Sequence, residues 1–136
     1  MSTPTINGKY MGELRCDIKH NNSGQHITTD APKDNNGKGE AFSPTDLVAA
    51  ALGTCMITII GIRAKSKGLD IGKPEFSIYK HMQSYPRKID HLTVEIIFKV
   101  KIEPDDRNYL ENEAKKCPVA LSLNDSIEQD IRFKYV

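Results

Sequence analysis

Ser43-Pro44-Thr45-Asp46-Leu47-Val48-Ala49-Ala50-Ala51-Leu52-Gly53-Thr54-Cys55 is the stretch whose reading decides the fold. Ser43 can cap a helix, and Pro44 suits the first helical position, where its missing N–H is not needed. Asp46, three residues after the cap, can bond back to it and sits near the positive end of the helix dipole. The apolar residues beyond predict a helix to about Lys67, with Gly68 as its stop. Val48, Ala51, Cys55, Ile59 and Ile62 share one stripe at helical spacing, and Ala49, Ala50 and Gly53 add small surfaces for close packing. So long an apolar helix, with more than one side to bury, is expected to be central. A chain of 136 residues can hardly cover it alone, which points to a homodimer.

Before this helix, the residues from Lys9 to Lys19 nearly alternate, with Tyr10, Leu14, Cys16 and Ile18 on one side and Glu13, Arg15, Asp17 and Lys19 on the other. This predicts a half-buried strand, then a turn over His20 to Gly24 and a second strand around Gln25 to Ala31. Pro32 to Gly39 is dense in turn formers and charge, an exposed loop. After the helix come strands over about Glu75 to Tyr85 and Ile89 to Ile102, with Tyr85-Pro86-Arg87-Lys88 as their turn. Pro104-Asp105-Asp106 opens a second helix that ends near Cys117, because Pro118 cannot easily continue it. Cys117-Pro118-Val119-Ala120-Leu121 begins a new helical turn, and the last ten residues alternate as a closing strand. The pattern is α+β with a mostly antiparallel sheet, in a single domain over 1–136.

The net charge of +1 offers no surface for a nucleic-acid backbone. The N-terminus lacks the basic start and apolar run of a secretion signal, and Gly53, Thr54, Thr58 and Gly61 interrupt the longest apolar stretch, so neither export nor a membrane span is expected. The reading is a cytoplasmic protein. Its three cysteines, Cys16, Cys55 and Cys117, form no CxxC pair and no zinc-type cluster with histidine. No phosphate-binding loop, GxSxG or HExxH occurs either.

Cys55 on an apolar stripe is by itself most simply a core residue, and there it needs a nearby cation to become a reactive thiolate. Cys117 opens a helical turn, where free N–H groups can favour a thiolate. Cys16, beside Leu14 and Ile18, reads as structural. The four histidines carry no mark of a base for Cys55.

The Ser43 to Cys55 block, followed by Cys117-Pro118-Val119, resembles the two signature blocks of the OsmC/Ohr family, the osmotically inducible and organic hydroperoxide resistance proteins. The order of strands resembles it from about Gly8 onward. The resemblance implies an OsmC-like fold, a sheet wrapped around a long central helix, in an intertwined homodimer with sites at the subunit interface. It implies that Cys55 attacks an organic hydroperoxide and becomes a sulfenic acid, that Cys117 resolves it to a disulfide, and that a dihydrolipoyl group or other dithiol reduces the pair. No metal, haem or flavin cofactor is implied. In the family's peroxidases the helix opens Asn-Pro-Glu, and the Glu holds an Arg over the thiol; here Ser43-Pro44-Thr45 stands instead. Glu40 and Asp46 are the candidate carboxylates. Arg15 is the candidate cation, with Arg87 as fallback. The alternative expectation is a non-catalytic relative that binds a small hydrophobic molecule in the dimer cleft.

Overall fold

Where the sequence reads as one strand from Lys9 to Lys19, the computed structural model, which describes residues 2–136, has two. They are β1 (Ile6–Gly12) and β2 (Arg15–His20), paired antiparallel. Gly12, Glu13 and Leu14 all take positive φ (87°, 54° and 63°) and reverse the chain. Periodicity cannot see this turn. The pairing sets Tyr10 opposite Cys16 and Gly8 opposite Ile18, so even-numbered residues stay on one face before and after it. β3 (His26–Asp30) completes a three-stranded sheet, with Lys19 facing His26 and Arg15 facing Asp30. A 3-10 turn at Lys33–Asn35 follows, and the chain folds back on it: the Gly37 and Gly39 N–H groups donate to the carbonyls of Pro32 (2.9 Å) and Ala31 (3.2 Å). A Cβ on Gly37 would overlap the Ala31 carbonyl, so glycine is the residue this return accepts. These residues belong to one of two compact units, the first ending at Leu47 and the second beginning at Val48.

α1 (Pro44–Ser66) starts with the reciprocal cap the sequence predicts: Ser43 N–H donates to Asp46 Oδ2 (2.9 Å) and Asp46 N–H donates to Ser43 Oγ (3.1 Å). Its core-facing residues are Ala49, Leu52, Gly53, Met56, Ile60 and Ala64. This corrects the stripe expected from spacing, because Val48, Ala51, Cys55 and Ile59 are only half-buried and Ile62 is exposed. The helix is apolar nearly all round, so periodicity alone could not choose the face.

In the second unit β4 (Glu75–Gln83) and β5 (Lys88–Phe98) pair antiparallel, and β6 (Glu128–Tyr135) runs parallel to β5. Leu92, Val94, Ile96 and Phe98 point from β5 into the core shared with α1. β5 stops at Phe98, short of Ile102; Ile102 is buried beyond the strand, its carbonyl accepting from Arg107 Nε (2.7 Å). A parallel pair needs a crossover, here supplied by α2 (Pro104–Ala114) and α3 (Pro118–Ser122). The break between those two helices holds Cys117 in the core cluster that includes α1. The architecture is α+β, two three-stranded sheets with every pairing antiparallel except β5 with β6.

Candidate active site

Cys55 lies midway along α1 on its half-buried side. Cys117 is the N-cap of α3, fully buried, and its Sγ accepts a hydrogen bond from Ala120 N–H (3.4 Å). Pro118 at the first helical position forces the break that turns this residue inward. Cys55 packs against the core cluster that holds Cys117, and Pro118 and Val119, which follow Cys117, line the same groove as Cys55. Burial pushes the Cys117 thiol above its ordinary value, and the neighbouring Cys55 adds to the rise, while N–H groups of Ala120 and Val119 oppose it. Cys117 is thus kept as a neutral thiol near neutrality.

An open groove of about 360 Å³ runs over Cys55 and the start of α3, lined by Ala51, Thr54, Cys55, Thr58, Ile59, Pro118 and Val119. Thr54 turns its hydroxyl back to the Ala50 carbonyl (2.7 Å), which leaves its methyl as the available surface. The groove therefore offers sulfur at an apolar wall, a setting for an alkyl chain that carries a polar reactive end. No histidine, carboxylate or cation lines it. Among the described residues no group of three or more His, Cys, Asp or Glu is placed to hold a metal ion.

The predicted cation sits in the first unit. Arg15 grips Asp30 with two hydrogen bonds, Nε to Oδ1 (2.7 Å) and Nη2 to Oδ2 (2.8 Å), and Nη2 also donates to Glu40 Oε1 (3.0 Å). Glu40 N–H donates to Asp30 Oδ2 (3.0 Å), which ties loop and strand into one cluster. Asp30 is 1% exposed. The Arg15 guanidinium holds its carboxyl below the usual range, and the two carboxylates hold Arg15 fully charged. Glu40, predicted as a candidate carboxylate, is thus joined to Arg15; Asp46 is committed to the helix cap. Arg87 is exposed in the turn between β4 and β5, and Cys16 is half-buried opposite Tyr10 and Thr29. Asp30 was not predicted. The signal that reveals it is hairpin register: with Lys19 opposite His26, one residue beyond the register a His20 to Gly24 turn would give, counting back along both strands sets residue 15 opposite residue 30.

Residues 37–132 match the family described as OsmC-like protein. No curated protein matches the sequence. Among solved structures, a protein from Psychrobacter arcticus, assigned to osmotic stress induction and detoxification, is 39% identical; the match covers 98% of this chain and 97% of that one, with a TM-score of 0.93. An organic hydroperoxide resistance protein from Legionella pneumophila matches at 16% identity, over 98% of this chain and 99% of its own, with a TM-score of 0.73. One from Elizabethkingia anophelis matches at 17% identity, over 99% of each chain, with a TM-score of 0.74. At those identities the last two speak to the fold.

Proposed function

The chain belongs to the OsmC-like family, and from that premise we propose that it reduces organic hydroperoxides by thiol chemistry, with Cys55 as nucleophile and Cys117 as the resolving thiol. The observation that carries the reading is the placement of the two thiols, Cys55 reachable from an apolar groove that Pro118 and Val119 also line, and Cys117 buried in the core cluster against which Cys55 packs. The Cys55 thiolate attacks the terminal oxygen of the hydroperoxide; the S–O bond forms, the O–O bond breaks, and the alkoxyl oxygen leaves with the electron pair and takes a proton as the alcohol. Cys117 then attacks the sulfenic sulfur, water leaves, and the Cys55–Cys117 disulfide forms. A dithiol of the dihydrolipoyl type restores both thiols. Both electrons move through sulfur, so the cycle needs no metal, haem or flavin.

Arg15, oriented by Asp30 and Glu40, is the cation assigned to the thiolate, and Asp46 remains a capping residue. The working form is an intertwined homodimer, supported by apolar side chains that a monomer leaves in water: Ile6, Tyr10, Met11, Leu14 and Ile27 on the first sheet, and Ile62 on α1. The reading places the protein in the cytoplasm as a single domain over 1–136, bound to neither nucleic acid nor membrane. The apolar lining of the groove also favours a second reading, a non-catalytic protein that holds a small hydrophobic molecule in the dimer cleft.

Trapping separates the two. Cumene hydroperoxide added to Cys117→Ser should leave a sulfenic acid on Cys55 that dimedone captures, with no adduct in Cys55→Ser. A groove that binds a hydrophobic probe while dimedone finds no sulfenic acid moves the assignment to the second reading.

A further inference from the structure

The second sheet carries two imidazoles that the thiol chemistry does not use. His81 of β4 pairs directly with His91 of β5, and His91 pairs in turn with Glu128 of β6. Residues paired in this way share one face of the sheet, with Cβ atoms about 4.5–5.5 Å apart. This is the face away from the core, since Leu92 and Val94 alternate with His91 and are buried. The two rings meet: their centroids are 3.8 Å apart and their planes lie 14° from parallel. Beside them the register slips. Met82 pairs with Ile89 while His81 pairs with His91, which makes Asp90 an extra residue in β5. A bulge of this kind re-aims a side chain, and here the Asp90 carboxylate accepts a hydrogen bond from His91 Nδ1 (2.8 Å).

That hydrogen bond chooses the tautomer. With the proton on Nδ1 given to Asp90, the lone pair of the neutral His91 ring stands on Nε2. A carboxylate behind one ring nitrogen and a lone pair on the other is the support that metal-ligating histidines have. The His81 ring is exposed and makes no hydrogen bond among the described residues. It can turn about its Cβ–Cγ bond, a broad torsion, and leave the stack to bring a nitrogen beside His91 Nε2. We propose that His81 and His91 together bind a divalent late transition metal ion, of the nickel, zinc or copper kind, on the outer face of the second sheet. Imidazole nitrogens suit these ions, whereas magnesium and calcium take oxygen donors. The protein supplies two donors and water completes the coordination. A recess of about 590 Å³ beside His91, lined also by Lys115, Glu128 and Asp130, has room for those waters. Asp90 and Glu128 add negative charge near the ion, while Asp130 is paired with Arg132. The ion ties β4 to β5, so it binds the folded chain in preference to the unfolded one and stabilises it. Nothing in this rests on the chemistry of Cys55 and Cys117.

The test is titration of the untagged full chain with nickel chloride near neutral pH, read by calorimetry and by the urea midpoint of unfolding. Wild type should bind one ion per chain and unfold at higher urea as nickel is added. His81→Gln, a change at an exposed position, should lose both effects, and so should His91→Gln. Asp90→Asn keeps both imidazoles and should bind about 10–100-fold more weakly, the scale of losing a group that orients a ligand. Cys55→Ser should bind as wild type does, which separates this site from the thiols. Magnesium chloride should produce no shift. In ring nitrogen NMR spectra, paramagnetic nickel should broaden His81 and His91 first and leave His20 and His26, on the first sheet, sharp. Nickel binding that survives His81→Gln and His91→Gln, that disappears in Cys55→Ser, or that magnesium matches overturns the proposal. So does the absence of any nickel effect on wild type.

Discussion

Gly53→Ala tests why a glycine sits inside α1, two residues before Cys55. On an open helix face the change would add about 1 kcal/mol of stability, because glycine is a poor helix former. Gly53 is buried, and an added Cβ would overlap Ile78 Cδ1, lie 2.9 Å from Ile78 Cγ1 and reach 3.5 Å from Phe76 Cδ2. The glycine is where β4 comes down onto the helix. Ile78 can turn aside, since the overlapping atom is the end of its side chain, but overpacking of this kind costs about 1–3 kcal/mol. The two terms leave Gly53→Ala about 1 kcal/mol less stable than wild type. Ile78→Val removes Cδ1 and at a half-buried site costs about 0.5–1 kcal/mol. In the double variant most of the overlap is gone while the helical gain remains, so the pair should be more stable than the sum of the single changes by at least about 1 kcal/mol. Urea unfolding of the four proteins, with unchanged slopes, measures this. Additivity within about 0.5 kcal/mol, or a Gly53→Ala protein more stable than wild type, refutes close approach as the reason for the glycine.

The Arg15 cluster makes an acid-side prediction: Asp30 binds its proton less readily folded than unfolded, so its contribution is full above about pH 3.9 and is lost as pH falls through the folded value. Unfolding followed against pH should therefore steepen less in Asp30→Asn than in wild type on the acid side, and parallel curves would contradict the assignment. Gly37→Ala forces a Cβ into the Ala31 backbone and should open the loop over 31–40 to limited proteolysis while β4 and β5 stay protected; an unchanged digestion pattern would count against the close return. Under the proposed assignment of Arg15 to the thiolate, Arg15→Ala should slow iodoacetamide alkylation of Cys55 about tenfold near neutral pH, with Arg87→Ala as the comparison. Equal rates in the two variants would remove Arg15 from the site.

Much of this architecture was legible because it is local. The cap of α1 needs only Ser43, Pro44 and Asp46, and the hydrogen bonds between Ser43 and Asp46 are those such a start implies. The Cys117-Pro118 break is local too, since a proline cannot continue a helix and can begin one. What stayed hidden depends on partners distant in sequence. The turn at Gly12 to Leu14 left no trace in the alternation, because its pairing keeps residue parity. The buried face of α1 was misread because Leu52, Met56 and Ile60 are no more apolar than Ile59 and Ile62; β4 and β5 decide which side is covered. Asp30 escaped notice because a carboxylate at a strand end reads as a solvated charge until Arg15 is known to face it. That Cys117 enters the core cluster against which Cys55 packs depends on the β5 to β6 crossover, whose parallel pairing no periodicity records.

The central claim is that the paired thiols turn over an organic hydroperoxide, and its most direct test is steady-state consumption of cumene hydroperoxide with dihydrolipoamide as reductant, wild type against Cys55→Ser. The account predicts catalytic turnover by wild type and none above background in Cys55→Ser, with both proteins folded. Equal consumption by the two, or no turnover by wild type, would contradict it.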